Sequence, residues 1–148
     1  MRYFTFALWQ RLQQSDSEKA ERRWINNIRL YQSQLSNLKA QLGRRVYQFF
    51  TTEGLHDGLI TKIEIGKKRS ILILVQKLGI SYELSFSGVS HWSIRYDQET
   101  NSLSFNEIFE WSYEEFSRDA EGELKLEILF SSGAICTVNF NKLKIKAR

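Results

Sequence analysis

The chain has 148 residues, is 42% apolar and 14% aromatic, and carries four Trp, six Tyr and ten Phe, which suits one folded domain and excludes a disordered chain. Its single cysteine, Cys136, excludes an internal disulfide, and no apolar run approaches the roughly 20 residues that span a bilayer, so the expectation is a cytoplasmic protein. The formal charge of +4 is unevenly spread: residues 1–53 hold nine Lys or Arg against four Asp or Glu, whereas residues 107–127 hold eight acidic residues against Arg118 and Lys125.

The opening is aromatic, with Tyr3, Phe4, Phe6, Leu8, Trp9 and Leu12, and Thr5 stands where it can cap a first helix. Gln10 and Arg11 interrupt the apolar run and no small-residue cleavage site follows, so it does not read as a secretory signal. Ser15-Asp16-Ser17-Glu18 matches a capping box, and a long helix is expected from there to about residue 50. Trp24, Ile28, Tyr31, Leu35, Leu38, Leu42, Val46 and Phe49 then fall within an arc of roughly 80°. The opposite side carries Lys19, Arg22, Asn26, Arg29, Ser33, Asn37 and Arg44, a sparse basic face. Unbroken, this helix is about 52 Å long and overhangs a strand of about 20 Å. It must therefore break near Gly43 or pair with the same helix of a second copy.

After Gly54 the period changes from 3.6 to 2. Residues 55–76 read as a hairpin turning at Gly66-Lys67-Lys68, followed by a turn at residues 77–79 and a strand with Ile80, Tyr82, Leu84 and Phe86 on one face. Residues 89–96 form a further strand and 97–102 a polar loop. The acidic, aromatic stretch 103–116 fits neither period cleanly, and a strand is expected over 108–113. Leu124, Leu126, Ile128 and Phe130, the turn Ser131-Ser132-Gly133, and Ile135, Val138 and Phe140 make the next hairpin. Lys142, Lys144 and Lys146 alternate with Leu143 and Ile145 in a last strand with the character of a protected edge. The expected class is α+β in one domain, 1–148. A helical part (1–53) precedes a seven- or eight-stranded antiparallel meander or partial barrel (55–148).

Chemistry is sparse. Seven of the eight glycines, all but Gly43, fall at element ends or turns, with no phosphate-cradling spacing. His56-Asp57 resembles half of a metal-dependent phosphohydrolase pair, but His91 is the only other histidine, so no metal or other cofactor is expected. The simpler reading makes Asp57-Gly58 a turn and gives the imidazole to backbone groups where helix passes into sheet. Glu107, Glu110, Glu114 and Glu115 are candidates for paired carboxylates, or, with Phe109, Trp111, Tyr113 and Phe116, for an amphipathic contact surface.

The order of parts, YFTF..LW, a long helix, LHDG, then strands closing on ILFSSG and NFNKLKIK, resembles uncharacterised bacterial proteins classed as domains of unknown function. That resemblance implies no assigned activity. The chain is also similar in plan to small immunity proteins that bind a bacterial toxin. The expected function is a non-enzymatic protein-binding role, with a protein partner or a homodimer formed through the helix. Candidate contacts are Trp24, Ile28, Tyr31, Leu35, Glu110, Trp111, Glu114 and Phe116. The alternatives are a toxin-neutralising binder, a small hydrolase using His56 and Asp57, and weak nucleic-acid binding through Arg22, Arg29 and Arg44.

Overall fold

The computed structural model describes residues 1–14, 17–96 and 109–148. Among these, four helices precede eight strands: α1 (Phe6–Leu12), α2 (Glu18–Asn37), α3 (Lys39–Leu42), α4 (Arg44–Thr52), β1 (Gly58–Gly66), β2 (Ser70–Lys77), β3 (Ile80–Ser87), β4 (His91–Tyr96), β5 (Glu110–Arg118), β6 (Leu124–Phe130), β7 (Ala134–Phe140) and β8 (Lys142–Ala147). The fold is α+β with an antiparallel sheet, as the periodicity predicts. Ser15 and Asp16 of the capping box, the loop 97–102, and Glu107 and Ile108 lie outside the described residues.

Thr5 caps α1 as expected, its hydroxyl accepting the Leu8 N–H at 3.3 Å. The long helix is three helices. At Leu38 the backbone tightens, its N–H reaching the carbonyls of Leu35 and Ser36. At Gly43 φ is +79° and ψ 152°, a region that a Cβ closes to other residues. The apolar stripe survives these breaks, with Tyr31, Leu35, Leu38, Leu42 and Val46 all buried, but no 52 Å rod overhangs the sheet. Of the two expected solutions the helix takes the break at Gly43, and α2 packs on β5 and α4 on β8.

The strand order is β4-β7-β6-β5-β1-β2-β3-β8, which departs from a plain up-and-down sequence. Two meanders, β1-β2-β3 and β5-β6-β7, meet at β1 and β5, and the two remaining strands have exchanged places at the outer edges. Geometry then requires a roll. In a flat sheet β7 and β8 would lie six strand spacings, about 29 Å, apart. Only Asn141 joins them, and two peptide units reach about 7 Å. The three-residue link from β3 to β4 imposes the same closeness. At that corner Asn141 N–H donates to Ser87 O and the Phe86 and Phe140 rings meet edge to face at 5.1 Å. The sheet thus folds over its own core of Ile71, Ile73, Val75, Leu84, Leu126, Ile128 and Val138 without closing.

Among the described residues the two meanders meet at Gly58–Trp111 and Leu59–Glu110, and the Ile60 N–H donates to Phe109 O at 2.9 Å. Beyond these pairs, the outer edge of β5 meets side chains from the helical part instead of a strand. The Phe116 N–H donates to the Tyr31 hydroxyl at 3.0 Å, Gln34 Nε2 donates to Phe116 O at 2.6 Å, and the Asp57 N–H donates to Trp111 O at 2.8 Å. Buried backbone groups need such partners. Phe50 then fills the space beneath, against Phe116 at 4.8 Å and Trp111 at 6.4 Å.

Tyr31→Phe keeps the ring and orphans the buried Phe116 N–H, so it should cost about 1–3 kcal/mol in urea unfolding. A variant as stable as the wild type would show that the edge of β5 finds another partner.

Candidate functional site

A β-bulge at the start of β5, where the register shifts between Trp111 and Tyr113, sets which side each later residue faces. From Tyr113 onward the strand alternates. Tyr113 and Glu115 face the N-terminal segment, whereas Glu114 and Phe116 face the rolled core. Glu114 and Glu115 therefore point to opposite sides of one strand. They do not form the paired carboxylates that acid–base hydrolysis uses.

Glu115 is buried, and its carboxylate accepts the N–H groups of Arg2 at 2.7 Å and of Tyr3 and Phe4 at 2.6 Å. It is an anchor for the N-terminal segment. Glu114 lies on the other side, with Oε2 accepting the Trp111 indole N–H at 2.7 Å. Burial pushes its carboxyl up from 4.5 to about 7, against the Trp111 hydrogen bond and the charges of His56 and Lys77, which act to lower it. Burial also raises the Cys136 thiol to about 12, so it stays protonated and inert.

His56 sits where β1 leaves the helical part. Nδ1 lies 2.5 Å from Ser112 O, and because a carbonyl only accepts, Nδ1 carries the proton. Nε2 is 3.5 Å from Asp57 Oδ1, and half of the imidazole side chain is exposed. Asp57 itself adopts φ +63°, the turn expected ahead of Gly58. At Gly58 a Cβ would stand 2.7 Å from Val75 Cγ1, so only glycine lets the chain enter the sheet there. The imidazole stacks on Tyr113 at 4.8 Å, and the Trp24 indole meets Tyr113 edge-on at 4.7 Å, with Phe4 5.0 Å from Trp24. Trp24 of the candidate contact set is thus brought beside His56 and Asp57 of the alternative site.

The remaining candidates separate. Tyr31, Leu35, Trp111 and Phe116 are buried in the core, so they offer no surface to a partner, a correction that follows from α2 lying on β5. Ile28 is at the edge of exposure, and Glu110 and Glu114 are partly buried. Among the described residues no group of three His, Cys, Asp or Glu side chains is placed to hold a metal ion, and no helix is long and apolar enough to cross a membrane.

Residues 4–138 match the model of a family described as a protein of unknown function, DUF4085. The chain belongs to this family. The matched span takes in Glu115, the His56–Tyr113 stack and β1 to β6, and it ends within β7. No curated protein matches the chain.

One feature at the surface was not among the sequence candidates. β2 and β3 join through a two-residue turn, Leu78-Gly79, between the paired Lys77 and Ile80, with φ +49° at Leu78 and +78° at Gly79. A turn with two positive φ values takes Asn or Asp at the first position by preference. Leu78 is 92% exposed there. The signal was present in the sequence as an apolar residue inside a tight hairpin turn.

Glu114 makes stability depend on pH in a defined sense. Its raised value in the folded chain means that this contribution is complete below pH 4.5 and is lost as the pH rises through about 7. Glu114→Gln keeps an acceptor for Trp111 and removes the titration. Urea unfolding should therefore show the variant gaining on the wild type as pH rises from 4.5 to above 7; a constant difference across that range would contradict the assignment.

Proposed function

We propose that the protein is a non-catalytic protein-binding module whose contact point is the β2–β3 hairpin tip. The observation that carries this reading is Leu78. A left-handed backbone costs an L-residue about 1–2 kcal/mol, and a leucine left in water forgoes the burial that ordinarily stabilises it. No hydrogen bond to the Leu78 backbone and no apolar cover for its side chain is seen among the described residues. Strain and apolar exposure at one point are what a residue shaped for a partner's apolar pocket displays. Ile80, also exposed, stands beside it at the base of the turn. A toxin-neutralising binder is one form this role takes.

A hydrolase built on His56 and Asp57 has less support, because His56 Nδ1 is committed to Ser112 O and Glu115 to three backbone amides. Nucleic-acid binding has less still: Arg22 is paired with Glu18, and Arg44 belongs to a different helix from Arg22 and Arg29. A homodimer through α2 is favoured by Ile25 and Ile28, which remain 60% and 36% exposed. Sedimentation velocity at rising concentration tests it: a dimer that Ile25→Lys with Ile28→Lys disperses supports that reading, and a monomer throughout removes it.

Leu78→Asn suits the left-handed turn and should raise stability by about 1 kcal/mol. In affinity capture from the native host, a protein retained by the wild type and by Ile25→Asn should be lost with Leu78→Asn. Equal retention by all three would overturn the hairpin assignment.

A further inference from the structure

Strand β8 ends the sheet, with β3 as its one strand partner among the described residues. The bond from Arg148 N–H to Ser81 O sets the phase of that pairing. Lys142, Lys144 and Lys146 share its phase and turn their backbone groups toward β3. The N–H and C=O groups of Leu143, Ile145 and Ala147 point away, and no described group bonds to them. Ile145 and Ala147 also form one wall of a groove of about 430 Å³, with Arg44, Arg45, Gln48 and Phe49 of α4 opposite and Tyr82 between.

We propose that this edge takes up an extended segment of a partner protein as a ninth strand, and that the segment alternates acidic and apolar residues. Both halves of the pattern follow from β8. Side chains of paired strands share faces, so alternate residues of an added strand stand beside Lys142, Lys144 and Lys146 on the outer face. Those three lysines are exposed and have no described ion pair, which makes Glu or Asp their complement. The residues between them turn inward beside Leu143 and Ile145, on the side of the sheet that α4 covers, where apolar side chains fit. Arg44 and Arg45, also outside any described ion pair, add positive charge along the helix wall, and Glu53 is the one carboxylate lining the groove. The same lysines repel a second copy of β8, so the edge is closed to self-pairing and open to an acidic strand. The inference shares with the hairpin reading only the class of ligand and does not depend on Leu78.

The probe is a capped peptide of about six residues alternating Glu and Val, with fluorescence anisotropy for binding and amide hydrogen exchange for place. The expected result is saturable binding, slower exchange at the Ile145 and Ala147 amides, and roughly tenfold or greater weakening by Lys144→Glu with Arg45→Glu, with Leu78→Asn binding as the wild type does. N-methylation of alternate peptide nitrogens should abolish binding by removing main-chain pairing. Circular dichroism confirms that the variants fold, and the exchange measurement on the wild type needs none of them. Equal binding by a scrambled peptide, unchanged exchange at Ile145 and Ala147, no binding, or displacement by single-stranded oligonucleotide with no peptide-specific protection would each overturn the proposal.

Discussion

The structure depends on the way one strand is left half-paired. Among the described residues β5 meets β1 at two residue pairs and then runs on beside the helical part, presenting backbone groups that cannot remain buried and unbonded. Tyr31 and Gln34 reach across from α2 to Phe116, and His56 reaches Ser112 O from the loop after α4. The helices therefore do what a neighbouring strand would do, and their apolar stripe is buried against the same sheet. The breaks at Leu38 and Gly43 are part of the same solution, since a straight helix serving the edge of β5 would not also bring Phe49 and Phe50 under the roll.

Carboxylates that suggest chemistry in the sequence act as ties in the fold. Glu115 gathers three amides of the N-terminal segment, which lays Phe4 against Trp24, Tyr31 and Tyr113. Glu127, its cross-strand neighbour, is held below the ordinary carboxylate range: burial alone would raise it, but hydrogen bonds and charge from the Met1 ammonium and Lys125 outweigh that. Glu115 and Glu127, two of the acidic residues of the span 107–127, are thereby answered within the chain. The positive charge of β8 is answered far less, and this difference separates an internally balanced surface from one suited to an acidic partner.

The period-2 and period-3.6 patterns made most elements legible, down to the Thr5 cap, the hairpin beginning after LHDG and the edge character of the lysine strand. Strand order was not legible, because it rests on which short links fold a corner, and Gly88 or Asn141 reads the same in a turn as in a crossover. β5 runs further along the chain than the expected 108–113, since its bulge shifts the alternation and both of its sides are covered, leaving Trp111, Ser112, Glu115 and Phe116 buried together. The same double covering hid the burial of Trp111 and Phe116. Periodicity did identify the buried face of α2, but it could not say whether the sheet or a second chain would cover Tyr31 and Leu35. Leu78 escaped because turn residues are read by type, and leucine is not a turn residue.

Native-state hydrogen exchange tests most directly whether the helical part completes the sheet. Phe116 is the reporter, since its amide bonds to Tyr31 on α2 and not to a strand. If the helices stand in for a strand, the Phe116 amide, the α2 interior and the central amides of β6 will open with one free energy and one denaturant dependence. An α2 that exchanges at much lower cost while the Phe116 amide keeps the protection of β6 would contradict the account.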